Sequence, residues 1–184
     1  TLDRSSAASD VYKRQPSTLA TDLCDFPLHG EIHNVSKSGL LCQGKVDLYN
    51  LYREWPRIVF FMSIIQKHCK CLPKVIFLEE KKKWEMPTIC WESALREYIN
   101  YYKMAAQVIS PLHPKWISFF VSDQEEAWCE VIRSSEIDFG DNLRWLKDIV
   151  LQTAPLSNFY QKWYEYVHAK LPCLIEMCKH HEKI

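Results

Sequence analysis

The stretch that most limits the folds open to this chain is Lys115-Trp116-Ile117-Ser118-Phe119-Phe120-Val121-Ser122-Asp123, together with the periodic run that follows it to Ser134. Trp116 to Val121 is aromatic and β-branched, follows Pro114 and Lys115, and is apolar on both faces, which predicts a buried parallel strand. Ser122-Asp123-Gln124-Glu125 fits a capping box, a hydroxyl followed three residues later by a carboxylate. Ala127, Trp128, Val131 and Ile132 then recur at helical spacing. A strand followed by a capped helix puts Ser122 and Asp123 at a strand's carboxyl end. That edge is where open α/β sheets bind ligands and where helix N-termini favour anions.

Lys74 to Leu78 predicts a second buried strand, introduced by Pro73 and closed by the charge run Glu79-Glu80-Lys81-Lys82-Lys83. Between the two strands lies a helical stripe of Trp91, Leu95, Tyr98, Tyr102, Ala105 and Ile109, with Thr88 as its cap and Pro111 as its stop. Strand, crossover helix and strand make a βαβ unit, so the expected fold class is α/β with a parallel-sheet, Rossmann-like core. Before it, Leu48, Leu51, Tyr52, Trp55, Val59, Met62 and Ile65 form an amphipathic helical stripe from Asp47 onward, interrupted by Pro56. Within that stripe, Ile58 to Ile65 is compatible with either a helix or a buried strand. After Ser134 the pattern is helical to the end, through Leu143, Leu146, Ile149 and Val150, then Phe159, Trp163, Tyr166 and Val167, then Cys173, Leu174 and Met177 behind Pro172.

Residues 5–15, Ser5 to Gln15, resemble the in-frame translation of a sequencing-library adapter. Residues 1–15 are therefore set aside as a scar, and the chain is expected to be a fragment lacking its natural N-terminus. Residues 16–46 read as an irregular N-terminal segment punctuated by proline and glycine, in which Glu31 to Val35 and Gly39 to Cys42 are each compatible with a brief strand or a loop, and residues 47–184 as a single α/β domain. With 23 basic against 23 acidic residues there is no electrostatic signature of a nucleic-acid partner. The longest apolar run, Ile58 to Ile65, is too short to span a bilayer.

The eight cysteines are scattered through apolar segments rather than arranged as a disulfide framework, which favours reduced core thiols and a cytoplasmic location. Cys24 with His29 and His33, His68-Cys69-Lys70-Cys71, and Cys173 with Cys178, His180 and His181 contain metal-ligand types. None has the spacing of a standard zinc site, so no metal is expected. No nucleotide-binding glycine motif, Gly-x-Ser-x-Gly or His-Glu-x-x-His is present, so the residues imply no cofactor and no readable nucleophile–base pair. Glu79, Glu80 and Asp123 would meet at adjacent strand ends, where a carboxylate can act as a general base. Asn34-Val35-Ser36 is a glycosylation acceptor pattern that matters in a secreted protein.

Three segments occur in a telling order: Tyr101-Tyr102-Lys103-Met104-Ala105-Ala106-Gln107-Val108-Ile109, Phe119-Phe120-Val121-Ser122-Asp123 leading to Trp128-Cys129, and Glu176-Met177-Cys178-Lys179-His180. In that order they resemble the bacterial α-1,2-fucosyltransferases, which move fucose from GDP-fucose to a sugar hydroxyl. The family carries His-x-Arg-Arg-x-Asp after a strand where this chain has Phe77-Leu78-Glu79-Glu80-Lys81-Lys82-Lys83-Trp84. The resemblance implies a glycosyltransferase-like domain, truncated or inactive, with a nucleotide-sugar donor and a glycan acceptor as its partners. It implies a donor diphosphate at the two strand ends, against Lys81, Lys82, Lys83, Ser122 and Asp123. The alternative is a non-catalytic interaction domain in which Trp145, Tyr160, Trp163 and Tyr164 serve a partner surface.

Overall fold

The computed structural model describes residues 32–36, 38–68, 74–79, 82–84, 87–134, 141–153 and 155–181. Its sheet is small and is built around a close backbone approach. Strands β1 (Val35–Ser36), β2 (Gly39–Cys42), β3 (Val75–Phe77) and β4 (Lys82–Trp84) lie in the order β1-β2-β3-β4. The β1–β2 and β3–β4 pairs are antiparallel, and β2 and β3 run parallel with Leu40 opposite Val75 and Cys42 opposite Phe77. Gly39 opens β2 at φ +134°, and a Cβ there would sit 2.1 Å from the Lys74 carbonyl oxygen. Only glycine tolerates both that dihedral and that contact.

Helix α1 (Leu48–His68) is the crossover between the two parallel strands. It starts at Asp47, whose carboxylate accepts the Asn50 N–H at 2.7 Å, a side-chain cap on an orphan donor. Leu51, Trp55, Val59 and Met62 from its expected stripe are all buried, and the helix runs through Pro56 and Ile58 to Ile65. One carboxylate on this face is charged and nearly enclosed. Glu54 is paired with both Arg53, at 3.5 Å, and Arg57. The guanidinium of Arg57 also donates to the carbonyls of His33 at 2.9 Å and Leu41 at 3.3 Å, and Arg53 donates to that of Gln43 at 3.1 Å. The two arginines thus hold α1 to β2 and to the residues on either side of the β1–β2 pair.

The other helices are α2 (Trp91–Ala105), α3 (Ile117–Val121), α4 (Glu125–Arg133), α5 (Asp141–Thr153), α6 (Leu156–Lys170) and α7 (Pro172–His181). Trp91 of α2 packs near Trp55, and its carbonyl accepts the Ser63 hydroxyl at 2.9 Å, which fixes α2 against α1. The buried face of α2 is Trp91, Ala94, Leu95 and Ile99, rotated from the expected stripe, so that Tyr102 stands exposed. Proline begins α7, where its missing N–H costs nothing, and the Glu97 carboxylate of α2 accepts the next donor, Cys173 N–H, at 3.0 and 3.3 Å.

These elements overturn the Rossmann-like α/β expectation. The described residues are mostly helical, their strands are short, and their parallel pair is β2–β3 rather than two strands ending at Leu78 and Ser122. Lys74 to Leu78 does contain strand β3, but Trp116 to Val121 forms the short helix α3. The physical reason lies in which residues of that run are buried. Trp116, Ile117, Phe120 and Val121 are enclosed while Ser118 and Phe119 between them are half-buried, a one-sided pattern with helical rather than alternating period. Tertiary burial on that face outweighs the β propensity of the residues. The residues that would form the adapter-derived scar, 1–15, lie outside those described, as do Cys24, His29, Cys69 and Cys71.

Candidate functional site

Ser122 and Asp123 close a helix instead of ending a strand. Ser122 N–H bonds the Ser118 carbonyl at 2.9 Å, Asp123 takes φ +50°, and Gln124 N–H returns to the Phe119 carbonyl at 2.9 Å. That left-handed residue followed by a six-to-one bond is a Schellman-type stop. The capping box expected at Ser122 is absent: α4 begins after Gln124 with no side-chain cap. Asp123 and Ser122 are both exposed in this turn.

Helix α6 supports the turn from below. Tyr160, Tyr164 and His168, spaced four apart, lie along one face, with ring centroids 6.1 Å and 4.2 Å apart. The Tyr160 hydroxyl donates to the Phe119 carbonyl at 2.7 Å, and His168 Nε2 lies 3.1 Å from the Phe120 carbonyl. The Phe119 carbonyl thus takes a second donor beside the Gln124 N–H, and His168 meets the Phe120 carbonyl at the end of α3. Burial, and then the Asp123 charge, pushes the Tyr160 phenol well up, so it serves as a neutral donor rather than a base. The surrounding aromatic packing, Phe120 stacked on Tyr160 at 4.9 Å and Trp128 parallel to Phe159 at 6.1 Å, makes this the aromatic centre of the helical layer.

The five residues expected at a donor diphosphate fall on different elements. Ser122 and Asp123 belong to the α3–α4 turn beside α6. Lys82 and Lys83 pair with Phe77 and Ile76 as strand β4, and Lys81 lies outside the described residues. Of the carboxylates weighed as general bases, Glu79 follows β3, while Glu80 also lies outside the described residues. Among the described residues no group of three or more His, Cys, Asp and Glu side chains is arranged to hold a metal ion.

A groove beside α7 was not legible in the sequence. An open groove of about 580 Å³ runs between Pro87 and Thr88, ahead of α2, the His168 end of α6, and the α7 residues Pro172, Ile175, Glu176, Lys179 and His180. His168 thus touches both places: its Nε2 is at the α3 carbonyls and its ring lines the groove. The signal available in sequence was the i, i+4, i+8 recurrence of Tyr160, Tyr164 and His168, which marks one face of a helix without saying what lies against it.

Cys42, Cys90, Cys129 and Cys173 carry thiols outside any disulfide. Burial and the neighbouring Glu54 push the Cys42 thiol up to about 12, and burial with Glu97 does the same for Cys173. Cys90, exposed at the start of α2, is shifted the other way by hydrogen bonding from Ser93. A scan of family models finds no match to this chain, and comparisons with curated proteins and with solved structures find none either. No helix among the described residues is long and apolar enough to cross a membrane.

Proposed function

We propose that this chain is a non-catalytic interaction domain. The observation that carries the proposal is Trp145, a residue 63% exposed on α5, while Trp116, Trp128, Tyr160 and Trp163 are buried. Of the four aromatics weighed for a partner surface, Tyr160 and Trp163 are core and Tyr164 is half-buried, which leaves Trp145 as the contact residue. A tryptophan side chain presents roughly 150–250 Å², so covering two-thirds of it gains about 3 kcal/mol at ~25 cal/mol per Å². Exposed tryptophans are frequent anchors of protein interfaces. Leu151 is exposed on the same helix. The partner that fits is a protein with an apolar pocket, a second copy of this chain included. Free cysteines support a reducing compartment such as the cytoplasm.

Fucose transfer from GDP-fucose, implied by the resemblance, is the competing outcome. It has lost the paired strand ends on which its diphosphate contacts depended. The test pairs sedimentation over a wide concentration range with calorimetry against GDP and GDP-fucose. Association that Trp145→Ala abolishes supports the interaction reading. A strict monomer that releases heat with GDP-fucose replaces it with the transferase reading.

A further inference from the structure

The groove beside α7 has a mixed lining that narrows what it can hold. Glu176 and Lys179 are three residues apart on α7 and line the same groove, both are exposed, and no ion pair joins them. Each charge is therefore available to a ligand. His168 adds an acceptor. A carbonyl oxygen only accepts, so the ring hydrogen sits on Nε2 against Phe120, and in the neutral ring Nδ1 has a lone pair to offer. Thr88 contributes a hydroxyl, and Pro172, exposed at the start of α7, contributes apolar surface. The volume of about 580 Å³ falls in the usual range of small-molecule sites, about 300–1,000 Å³.

A simple anion in this groove would meet Glu176, and a simple cation would meet Lys179. A molecule carrying both charges a few bonds apart satisfies both. We propose that the groove binds a small zwitterion of the α-amino-acid type. Its carboxylate is held by Lys179 and the Thr88 hydroxyl, its ammonium group by Glu176 and the acceptor nitrogen of His168, and an apolar side chain lies on Pro172. This site is separate from the Trp145 face and stands whether or not that face docks a partner.

A free amino acid and a dipeptide share this chemistry, and the experiment separates them. The full chain is titrated by calorimetry with L-leucine, leucyl-leucine, N-acetyl-leucine and leucinamide. At least one zwitterion binds, and the tighter of the two identifies the source. Removing either charge, in N-acetyl-leucine or in leucinamide, weakens binding at least tenfold. Glu176→Gln and Lys179→Met each do the same while leaving the far-ultraviolet circular dichroism unchanged, since both side chains are exposed. Three results overturn the proposal: no heat from either zwitterion, N-acetyl-leucine binding as tightly as leucine, or Lys179→Met retaining full affinity in a folded protein.

Discussion

Replacing Glu97 tests the junction between α2 and α7. Its carboxylate accepts Cys173 N–H, and the charge is also stabilised by the Leu174 N–H, so one side chain of α2 caps the first donors of α7. Because Pro172 opens that helix, these are the earliest N–H groups it has. Loss of a side-chain cap typically costs ~0.5–2 kcal/mol, and charged hydrogen bonds lie toward the upper end. Burial works against the charge and raises the Glu97 carboxyl above its ordinary range, so part of that gain is offset. The expected cost of Glu97→Ala is therefore about 1–2 kcal/mol. Glu97→Gln keeps a carbonyl oxygen for capping without burying a charge, so at neutral pH it should lie within about 0.5 kcal/mol of the parent.

The pH dependence has a definite sign. A carboxyl whose folded pKa is raised contributes stability that is fully present below its unfolded pKa and is lost as pH rises through the folded one. The parent should therefore gain on Glu97→Gln as the pH is lowered from neutrality through the carboxylate range. Urea denaturation of both proteins, followed by circular dichroism at several pH values, measures the difference directly. Equal stability of parent and Glu97→Ala, or a parent advantage over Glu97→Gln that grows with rising pH, would refute the reasoning.

Other perturbations follow from the same geometry. Gly39→Ala should destabilise by about 3 kcal/mol or more, because the new Cβ meets the Lys74 carbonyl in a backbone conformation unsuited to alanine; a urea midpoint close to the parent's would contradict this. Tyr160→Phe removes the donor to the Phe119 carbonyl and should cost about 1 kcal/mol, with amide exchange quickening at Ser122 and Gln124 before it does in α1. Among the described cysteines Cys90 should react first with a disulfide reagent at neutral pH, and Ser93→Ala should slow it; Cys42 reacting as fast in the folded state would be the opposite result.

What could be read from the residues depended on whether a local pattern decided the matter. The stripe marks a helix from Asp47 onward, where the aspartate has the chemistry of a cap, although period alone left Ile58 to Ile65 open between helix and strand. Strand β3 stands between Pro73 and a charge run, so its limits were marked in sequence. Trp116 to Val121 is too short and too uniformly apolar for period to settle it, and the deciding contacts come from Tyr160 and His168, some forty residues further on. The parallel partner of β3 proved to be β2, Gly39–Cys42, a segment whose residues left brief strand and loop both open because the glycine that permits the pairing also resembles loop punctuation. The groove was invisible for a related reason. Thr88, His168 and Lys179 come from three separate stretches, and only the packing of α2, α6 and α7 brings them together.

The parallel pairing of Leu40 with Val75 has a kinetic corollary. Strands joined through a 21-residue helix cannot zip up from a tight turn, so the whole connection must be drawn in before the first ladder bond forms. A preformed helix shortens that search, since ordered segments leave less loop entropy to lose. Refolding should consequently slow when solvent-facing positions of α1 receive poor helix formers, and hardly change when β4 is altered. The rate at which this protein reaches its native state is then governed by a helix, even though the step being timed is the closure of a sheet.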